Sequence, residues 1–535
     1  MERPTQLFPL RVVRAVVASV VLVTVAGGLL AEEEPEPLPA RIDRLIQELG
    51  DEKYSVRERA QKELAELGYE AYDALQAATT HEDLEIASRA KYLLLLIPAQ
   101  WSAENEPDEV RQYLTYYQSH SQEVRLEVLK VLAHLSGGTG IPALCRLVRF
   151  ETSTLWSKHA AVVLLNQEPL DPAGRDRWAK TLREHLGRSG RPAARWLHTY
   201  LQFADAPEAT LAEWTKLAEE EEEVFKRSSD QSSPRILASL WYYLAIAQAD
   251  QGKEELAEKT AQRARELSPD RSTTRLSSRL DTAIALGRRG KFHWAELEYR
   301  QVIDAGLNAP KVKAGLMLAE MEHDQGKELS AAEALAQVLE VDERELTQIL
   351  AVTEQTVEGV RARMNFFHAC HWAGKDDPSQ HRQFLDEALK HDPAELDALI
   401  ARYRLPDTEP EYHRKTIELI AQAASLLRQQ IHESPDEPAL YNQFAWLVGN
   451  TEGDPDEALR CAKKAVELRP ESSAFLDTLG HVYFGRGDLE NAVKHQARAA
   501  EIEPHSGLIT QKLDLFRSAL DESKNDKKQD QERVP

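Results

Sequence analysis

The sequence has few cysteines and almost no strand-forming runs. Its 535 residues include three cysteines, Cys145, Cys370 and Cys461, which lie far apart and are odd in number. They cannot build a disulfide framework, and at most one bridge could form between them. Each lies among apolar residues at helical spacing, which predicts buried, unpaired thiols. Runs of valine, isoleucine and threonine are confined almost entirely to the N-terminal end, so the rest is expected to be helical.

The sequence also lacks the short motifs of several enzyme classes. It contains no GxSxG, HExxH or CxxCH pattern, and the glycine-rich stretch at 136–140 lacks the lysine of a nucleotide-binding loop. His368 and His371 could face the same way on a helix near Cys370, but further metal ligands do not follow. The acidic run at 219–223 is interpreted as a solvated helix end. We therefore predict no catalytic residue, no metal site and no cofactor, and a chain that is not an enzyme.

Basic residues are fewer than acidic residues in this sequence. There are 66 Lys and Arg residues against 89 Asp and Glu, a formal net charge of -23. Without residues 1–31 the balance is 63 basic against 88 acidic residues, or -25. Such a surface repels nucleic acid and anionic lipid, so neither is expected as a partner. The acidity favours solubility, and a basic or neutral protein partner is compatible with it.

The N-terminal segment, residues 1–31, has the pattern of an export signal. Arg11 and Arg14 precede an uncharged run that ends at Ala31. Small residues would permit cleavage after Gly28 or after Ala31. A retained signal anchor is the alternative, although the run is shorter than the ~20 residues that usually span a bilayer. We expect export to the periplasm or cell envelope, with membrane contact only through this segment if it is not cleaved.

The chain between its two ends shows helical periodicity. Residues 32–40 form an acidic, proline-rich spacer, and the polar tail at 521–535 is predicted to be disordered. Between residues 41 and 98, apolar residues recur in four short bursts at helical spacing, which predicts two helical hairpins in tandem. Helices of this length bury too little on their own, so each pair must stack on its neighbour.

The first of these hairpins carries a recognisable set of residues. Asp51 lies in a turn, Val56 and Arg57 follow early in the second helix, and Ala60 comes next on its apolar face. This pattern resembles the HEAT repeat family, and the resemblance extends over 41–166. It implies that the aspartate and arginine side chains bridge successive repeats.

The C-terminal half carries a different pattern, clearest between residues 473 and 504. Gly480 on a first helix and Ala492 and Ala499 on a second would allow close crossing, and Pro504 would end the second helix. Pro470 lies thirty-four residues before Pro504. These residues and this spacing resemble the tetratricopeptide repeat family.

The two resemblances divide the chain into successive regions. A divergent helical connector at 167–233 follows the HEAT-like part, tetratricopeptide-like pairs occupy 234–342, degenerate helical repeats 343–435, and clearer tetratricopeptide repeats 436–520. The expected fold is all-α, a right-handed α-solenoid of stacked helical hairpins, HEAT-like and then tetratricopeptide-like.

The tetratricopeptide resemblance implies a non-enzymatic scaffold that binds a protein or peptide in a groove lined by the first helix of each pair. An anchored structural component of a cell-envelope assembly is the alternative, and an enzyme with an unrecognised site among the helices of 343–435 is a third. The sequence does not identify the partner. The side chains predicted to face the groove are Tyr242, Asn442, Trp446, Asp477 and His481.

Overall fold

The secondary structure is helical wherever the chain is described. Over the described ranges there are 27 α-helices, two short 3-10 helices and no strand, which confirms the all-α class of stacked helical hairpins. One compact unit ends at Ile97 and the other begins at Pro98. The predicted export signal and residues 32–35 of the spacer lie outside the described residues. The computed structural model describes residues 36–96, 106–228, 230–267, 273–375, 377–406 and 409–532.

The first unit contains the two predicted hairpins. Leucines at helical spacing turn to one side of each helix, and Leu45, Leu64, Leu75 and Leu93 are fully buried in one core. Burial of these apolar faces is what makes such short helices stable. The helices are α1 (Leu38–Glu48), α2 (Tyr54–Leu67), α3 (Tyr69–Ala78) and α4 (Leu84–Leu96).

The HEAT-like side chains of this unit have two different roles. Arg57 donates from Nη1 to the backbone oxygen of Asp51 at 2.7 Å, and its Nε lies 3.3 Å from the carboxylate of Glu85 on α4. The carboxylate of Asp51 accepts a hydrogen bond from the backbone N–H of Lys53 at 2.7 Å. The arginine therefore links the two hairpins, as the resemblance implies, whereas the aspartate side chain stabilises its own turn.

The second unit contains the remaining helices, and most of them pack against their neighbours along the chain. They are α5 (Asp108–Leu114), α6 (Gln122–His134), α7 (Ile141–Phe150), α8 (Thr154–Asn166), α9 (Pro172–Leu186), α10 (Pro192–Tyr200), α11 (Pro207–Arg227), α12 (Pro234–Asp250), α13 (Glu254–Glu266), α14 (Thr273–Arg288), α15 (Phe292–Asp304), α16 (Asn308–Asp324), α17 (Glu328–Leu339), α18 (Glu343–Ala351), α19 (Val357–Ala373), α20 (Pro378–His391), α21 (Leu396–Tyr403), α22 (Pro410–Glu433), α23 (Pro438–Asn450), α24 (Pro455–Leu468), α25 (Ser473–Gly485), α26 (Leu489–Ile502) and α27 (Gly507–Glu532).

The pair α25 and α26 shows why the repeat pattern folds as it does. Ser472 and Asp488 cap the two helices, each accepting a hydrogen bond from a backbone N–H in the first turn. A Cβ atom at Gly480 would lie 3.2 Å from the carbonyl oxygen of Ala492 and 2.9 Å from the side chain of Gln496. Glycine at this position therefore lets the two helices approach closely.

The region predicted to be degenerate is irregular in helix length. The nine-residue helix α18 is inserted between the pairs α16/α17 and α19/α20, and the eight-residue α21 is followed by the 24-residue α22. These unequal lengths explain why the repeat spacing drifts between residues 343 and 435.

The C-terminal tail differs from its prediction. Residues 521–535 are expected to be disordered, but α27 continues through Glu532. Lysine, glutamate and glutamine are good helix formers, and extending an existing helix costs far less than nucleating one. A polar composition therefore excludes a packed core here without excluding a helix.

The C-terminal helices of the second unit also contact much earlier helices. Asp324, at the end of α16, accepts hydrogen bonds from the Ser506 hydroxyl at 2.6 Å and from the Gly507 backbone N–H at 3.1 Å, at the start of α27. Arg498 on α26 lies 3.0 Å from the carboxylate of Asp171, which caps α9. A linear stack, in which each pair contacts only its neighbours, would not contain these contacts. The helical array of the second unit therefore curves back on itself.

Candidate protein-binding surface

Three rings from successive first helices meet near the C-terminal end of the array. The Trp446 and His481 rings lie 5.2 Å apart, and the His481 and Phe516 rings lie 5.8 Å apart, measured between centroids. They belong to α23, α25 and α27, and consecutive members are thirty-five residues apart in the sequence. This repeat spacing brings equivalent side chains into one row, which we call the ring row.

Charged side chains fix the orientation of the ring row. The Trp446 indole N–H donates to Asp397 on α21 at 2.8 Å, and the Lys512 ammonium lies 4.7 Å from the centroid of the Trp446 ring. The same ammonium lies 2.8 Å from the carboxylate of Asp477. Asp477 also accepts a hydrogen bond from the Gln496 side chain at 2.7 Å. Lys512 thus joins the aromatic ring and the acidic side chain on one surface.

The ion cluster behind Trp446 extends the polar contacts to α19 and α16. Arg363 contacts Glu320 at 2.9 Å, Asp397 at 2.6 Å and Glu395 at 3.1 Å. Burial and the neighbouring carboxylate raise the pKa of Glu395 to about 7. Burial alone would also raise the pKa of Asp397, but the Arg363 guanidinium and the Trp446 indole hold it below its usual value.

Two polar atoms beside the ring row lack partners. The Nδ1 atom of His481 and the Oδ1 atom of Asn442 have no hydrogen-bond partner in the described part of the chain. Both residues are half-buried, and Asn442 lies one helical turn before Trp446 on α23. Burial and the nearby Lys512 ammonium lower the pKa of His481 to about 4, so its imidazole is neutral at physiological pH. Both atoms are shielded from solvent in the free chain, so a bound segment would form these two hydrogen bonds after neighbouring side chains move.

The predicted groove residues do not all lie on this surface. Asn442, Trp446 and His481 are half-buried and come together, and Asp477 joins them but is only 8% exposed. Tyr242 is 2% exposed, and its hydroxyl donates to the carboxylate of Glu298 at 2.5 Å. The prediction of an exposed Tyr242 is wrong, because α12 is covered on several sides by α8, α11, α13 and α14.

Sequence reasoning missed two residues at the ring row: Lys512, which is half-buried, and Phe516, which is fully buried beneath the surface. Lys512 and Phe516 lie thirty-five residues after Asp477 and His481, but they follow the last complete repeat motif. Continuing the repeat spacing beyond Pro504 would have found both. Asp397 lies in the irregular α21, where no repeat spacing indicates its position.

The cysteines and the histidine cluster behave as ordinary helix residues. All three thiols are free, but only Cys145 is buried as predicted, whereas Cys370 and Cys461 are half-buried. Burial raises the pKa of Cys145 to about 12. The His368 ring stacks on Phe384 with centroids 4.9 Å apart. Within the described ranges, no group of three or more His, Cys, Asp or Glu side chains could hold a metal ion.

None of the described helices is both long and apolar enough to cross a bilayer.

Comparison with known proteins identifies one repeat. The family model of the tetratricopeptide repeat matches residues 474–506, which correspond to α25, α26 and the turn after them. No curated protein matches the chain.

Three of the solved structures that match the chain do so at low sequence identity and low TM-score. The crystal structure of the P58(IPK) TPR domain has 16% sequence identity and a TM-score of 0.18, and the match covers 62% of this chain and 98% of that one. The structure of Naa15/Naa10 bound to HypK-THB has 16% identity and a TM-score of 0.21, and covers 90% and 66%. A circular tandem repeat protein with a novel repeat topology has 15% identity and a TM-score of 0.15, and covers 91% and 97%. The described part of the chain is an all-α helical repeat protein, and its residues 474–506 match the tetratricopeptide repeat family.

Proposed function

We propose that the chain is an exported scaffold that binds a protein segment along the ring row. Its tetratricopeptide repeat supports the general role of a scaffold for protein interactions, and this type of fold is typically non-catalytic. The observation that carries the proposal is the pair of unpartnered polar atoms, Asn442 Oδ1 and His481 Nδ1, beside the Trp446 ring. A buried polar atom without a partner is costly, so a ligand that supplies one gains affinity.

A peptide backbone fits the chemistry of this surface. It offers N–H donors and C=O acceptors at short intervals, which match an amide oxygen and a neutral imidazole. The nearby charged side chains are already paired, because Lys512 forms a salt bridge with Asp477 and Arg363 forms one with Asp397. The surface therefore favours a segment that brings neutral polar and apolar groups rather than a strongly charged one.

Site-specific cross-linking tests the location of binding. A photoreactive amino acid at position 442 of the full chain, expressed in the producing organism, should cross-link to a discrete partner. The same group at His432, which is exposed on α22, is the matched control. Equal cross-linking to the same proteins from both positions would show that the ring row is not the binding surface.

Export is a separate part of the proposal. It is supported by Arg11 and Arg14 ahead of the uncharged run that ends at Ala31. We expect the mature chain to begin after Gly28 or Ala31 and to occur in the soluble periplasmic fraction. N-terminal sequencing of the purified protein checks this. An intact N-terminus in the membrane fraction would favour the anchored envelope component instead.

A further inference from the structure

A cavity of about 340 Å³ lies where the helices before residue 233 meet the first tetratricopeptide-like pairs. Its walls come from α6, α8, α11, α12, α13, α14 and α15, and its most distant lining residues, Gln122 and Glu298, are 176 positions apart in the sequence. The volume is at the lower end of the roughly 300–1,000 Å³ typical of small-molecule sites. Most of the wall is apolar, and its larger apolar side chains are Leu126, Leu155, Trp156 and Phe225.

The polar side of this cavity contains an incompletely paired arginine. Arg235 is only 8% exposed, and its Nη2 lies 3.0 Å from the carboxylate of Asp281. Its Nη1 has no hydrogen-bond partner in the structure as described. Arg235 shares Asp281 with Lys130, because the Lys130 ammonium lies 2.9 Å from the same carboxylate oxygen. The Lys130 ammonium also pairs with the exposed Glu127. The guanidinium is therefore incompletely paired beside the cavity, and its Nη1 atom is shielded from solvent in the free chain.

A second unpartnered atom belongs to the same wall. His159 lines the cavity from α8, is 9% exposed, and its Nδ1 has no partner among the described residues. Burial and the neighbouring Arg235 lower the pKa of His159 to about 3, so the ring is neutral. A neutral imidazole can donate or accept one hydrogen bond without adding charge.

The other ionisable groups of the wall are already satisfied. Glu298 accepts hydrogen bonds from the Tyr242 hydroxyl and from Arg279, so its negative charge does not require a cation from a ligand. Glu123 lies at the exposed rim. Among the described wall residues, Arg235, His159 and Ser232 carry buried polar atoms without a hydrogen-bond partner, and only Arg235 brings a charge.

We propose that this cavity binds a small monocarboxylic acid with an aromatic or branched apolar body. The apolar part would lie against Trp156, Leu155 and Phe225, and the carboxylate would accept from Arg235, with His159 contributing a further hydrogen bond. An N–H of a guanidinium to a carboxylate is a charge-assisted hydrogen bond, which is stronger than one to a neutral acceptor. The site is separate from the ring row and does not depend on it.

The test uses the full mature chain and 3-phenylpropanoate as the probe, with 3-phenylpropanamide as its neutral counterpart. Binding is followed by saturation-transfer NMR and calorimetric titration. We expect the acid to bind saturably and the amide to bind about tenfold more weakly. Arg235→Met should remove this preference, because only the charged partner of the carboxylate is lost, and Lys130 still pairs with Asp281.

Two further variants separate binding from folding. Ala238→Phe fills the cavity from α12 and should abolish binding of the acid without changing Arg235. Arg227→Met removes an arginine whose side chain is 78% exposed and should leave binding unchanged. Circular dichroism verifies that each variant is folded. The proposal is overturned if the acid does not bind saturably, or if acid and amide bind equally well to the wild-type chain.

Discussion

The helices of the C-terminal repeats pack differently from the helices around the cavity. In α23 to α27, small residues such as Gly480 bring helices together, and equivalent positions thirty-five residues apart form one continuous row. In α6 to α15, helices of unequal length leave a cavity and bury an ion pair, Lys158 and Glu221, whose side chains are 1% and 3% exposed. The C-terminal repeats therefore align equivalent side chains in a row, whereas the packing of α6 to α15 leaves a cavity.

The largest effect is expected from breaking the buried ion pair of the irregular region. Glu221→Leu would leave the Lys158 ammonium with the backbone oxygen of Gln231, at 2.9 Å, and the face of the Trp196 ring, but with no anionic partner among the described residues. An uncompensated buried charge should lower the free energy of unfolding by about 3–5 kcal/mol. Urea denaturation followed by circular dichroism measures this loss. The double variant Lys158→Met with Glu221→Leu should recover most of it, and a single variant as stable as the wild type would contradict the account.

A second effect, on the pH dependence of stability, is expected from the ion cluster of Arg363 behind Trp446. The pKa of Glu395 is raised to about 7 in the folded chain, so folding favours the protonated carboxyl group. The contribution of Glu395 to the free energy of unfolding is therefore complete below the ordinary pKa of a glutamate. It is lost as pH rises through about 7. Each unit of difference between the folded and unfolded pKa corresponds to about 1.4 kcal/mol. The groups facing this carboxyl are Arg363, Asp397 and the Ala398 backbone N–H.

Denaturation of the wild type and of Glu395→Gln at several pH values isolates this contribution. The variant should lose less stability than the wild type between about pH 5 and pH 8. Asp397 titrates in the opposite sense, because its lowered pKa means that its contribution is lost only as pH falls through the acid range. Identical pH profiles for the two proteins would rule out the raised pKa of Glu395.

The regular repeats should be sensitive to side-chain size at the helix crossing. Gly480→Leu would force atoms into the space between α25 and α26, and should lower the free energy of unfolding by about 1–3 kcal/mol. Gly190→Leu is the control, since a Cβ atom there meets no heavy atom within 4 Å. Thermal denaturation compares the two variants. If both lose the same stability, close packing at Gly480 is not what holds this pair together.

The smallest effect is expected at the contact between α16 and α27. Asp324→Ala removes the acceptor of the Ser506 hydroxyl and the Gly507 N–H, a loss of about 1 kcal/mol for a helix cap. Hydrogen exchange at residues 507–510 should become faster, whereas the exposed Asp304→Ala should not change it. Unchanged exchange in Asp324→Ala would mean that the array is held closed by other contacts.

The sequence predicts the regular part of this molecule well and the irregular part poorly. Gly480, Ala492 and Ala499 follow a spacing that directly reflects the crossing of two helices, so the fold of α25 and α26 could be predicted from it. Tyr242 occupies a comparable position on α12, but helices far away in the sequence cover it, and no local pattern records that.

The candidate sites differ in the same way. Trp446 and His481 could be predicted because the groove side of each repeat recurs at a fixed spacing. The cavity could not be predicted, because His159 and Arg235 come from different helices and meet only through irregular packing. The Asp324 contact with Ser506 and Gly507 depends on the curvature of the array, which no single repeat encodes.

The most direct test of the scaffold claim is the affinity of the mature chain for the partner that position 442 cross-links. We expect the double variant Asn442→Ala with His481→Ala to bind this partner about tenfold or more weakly. Each substitution removes a polar atom to which the partner would form a hydrogen bond. His432→Ala should bind like the wild type. Wild-type affinity in the double variant, with its helical content intact, would contradict binding along the ring row.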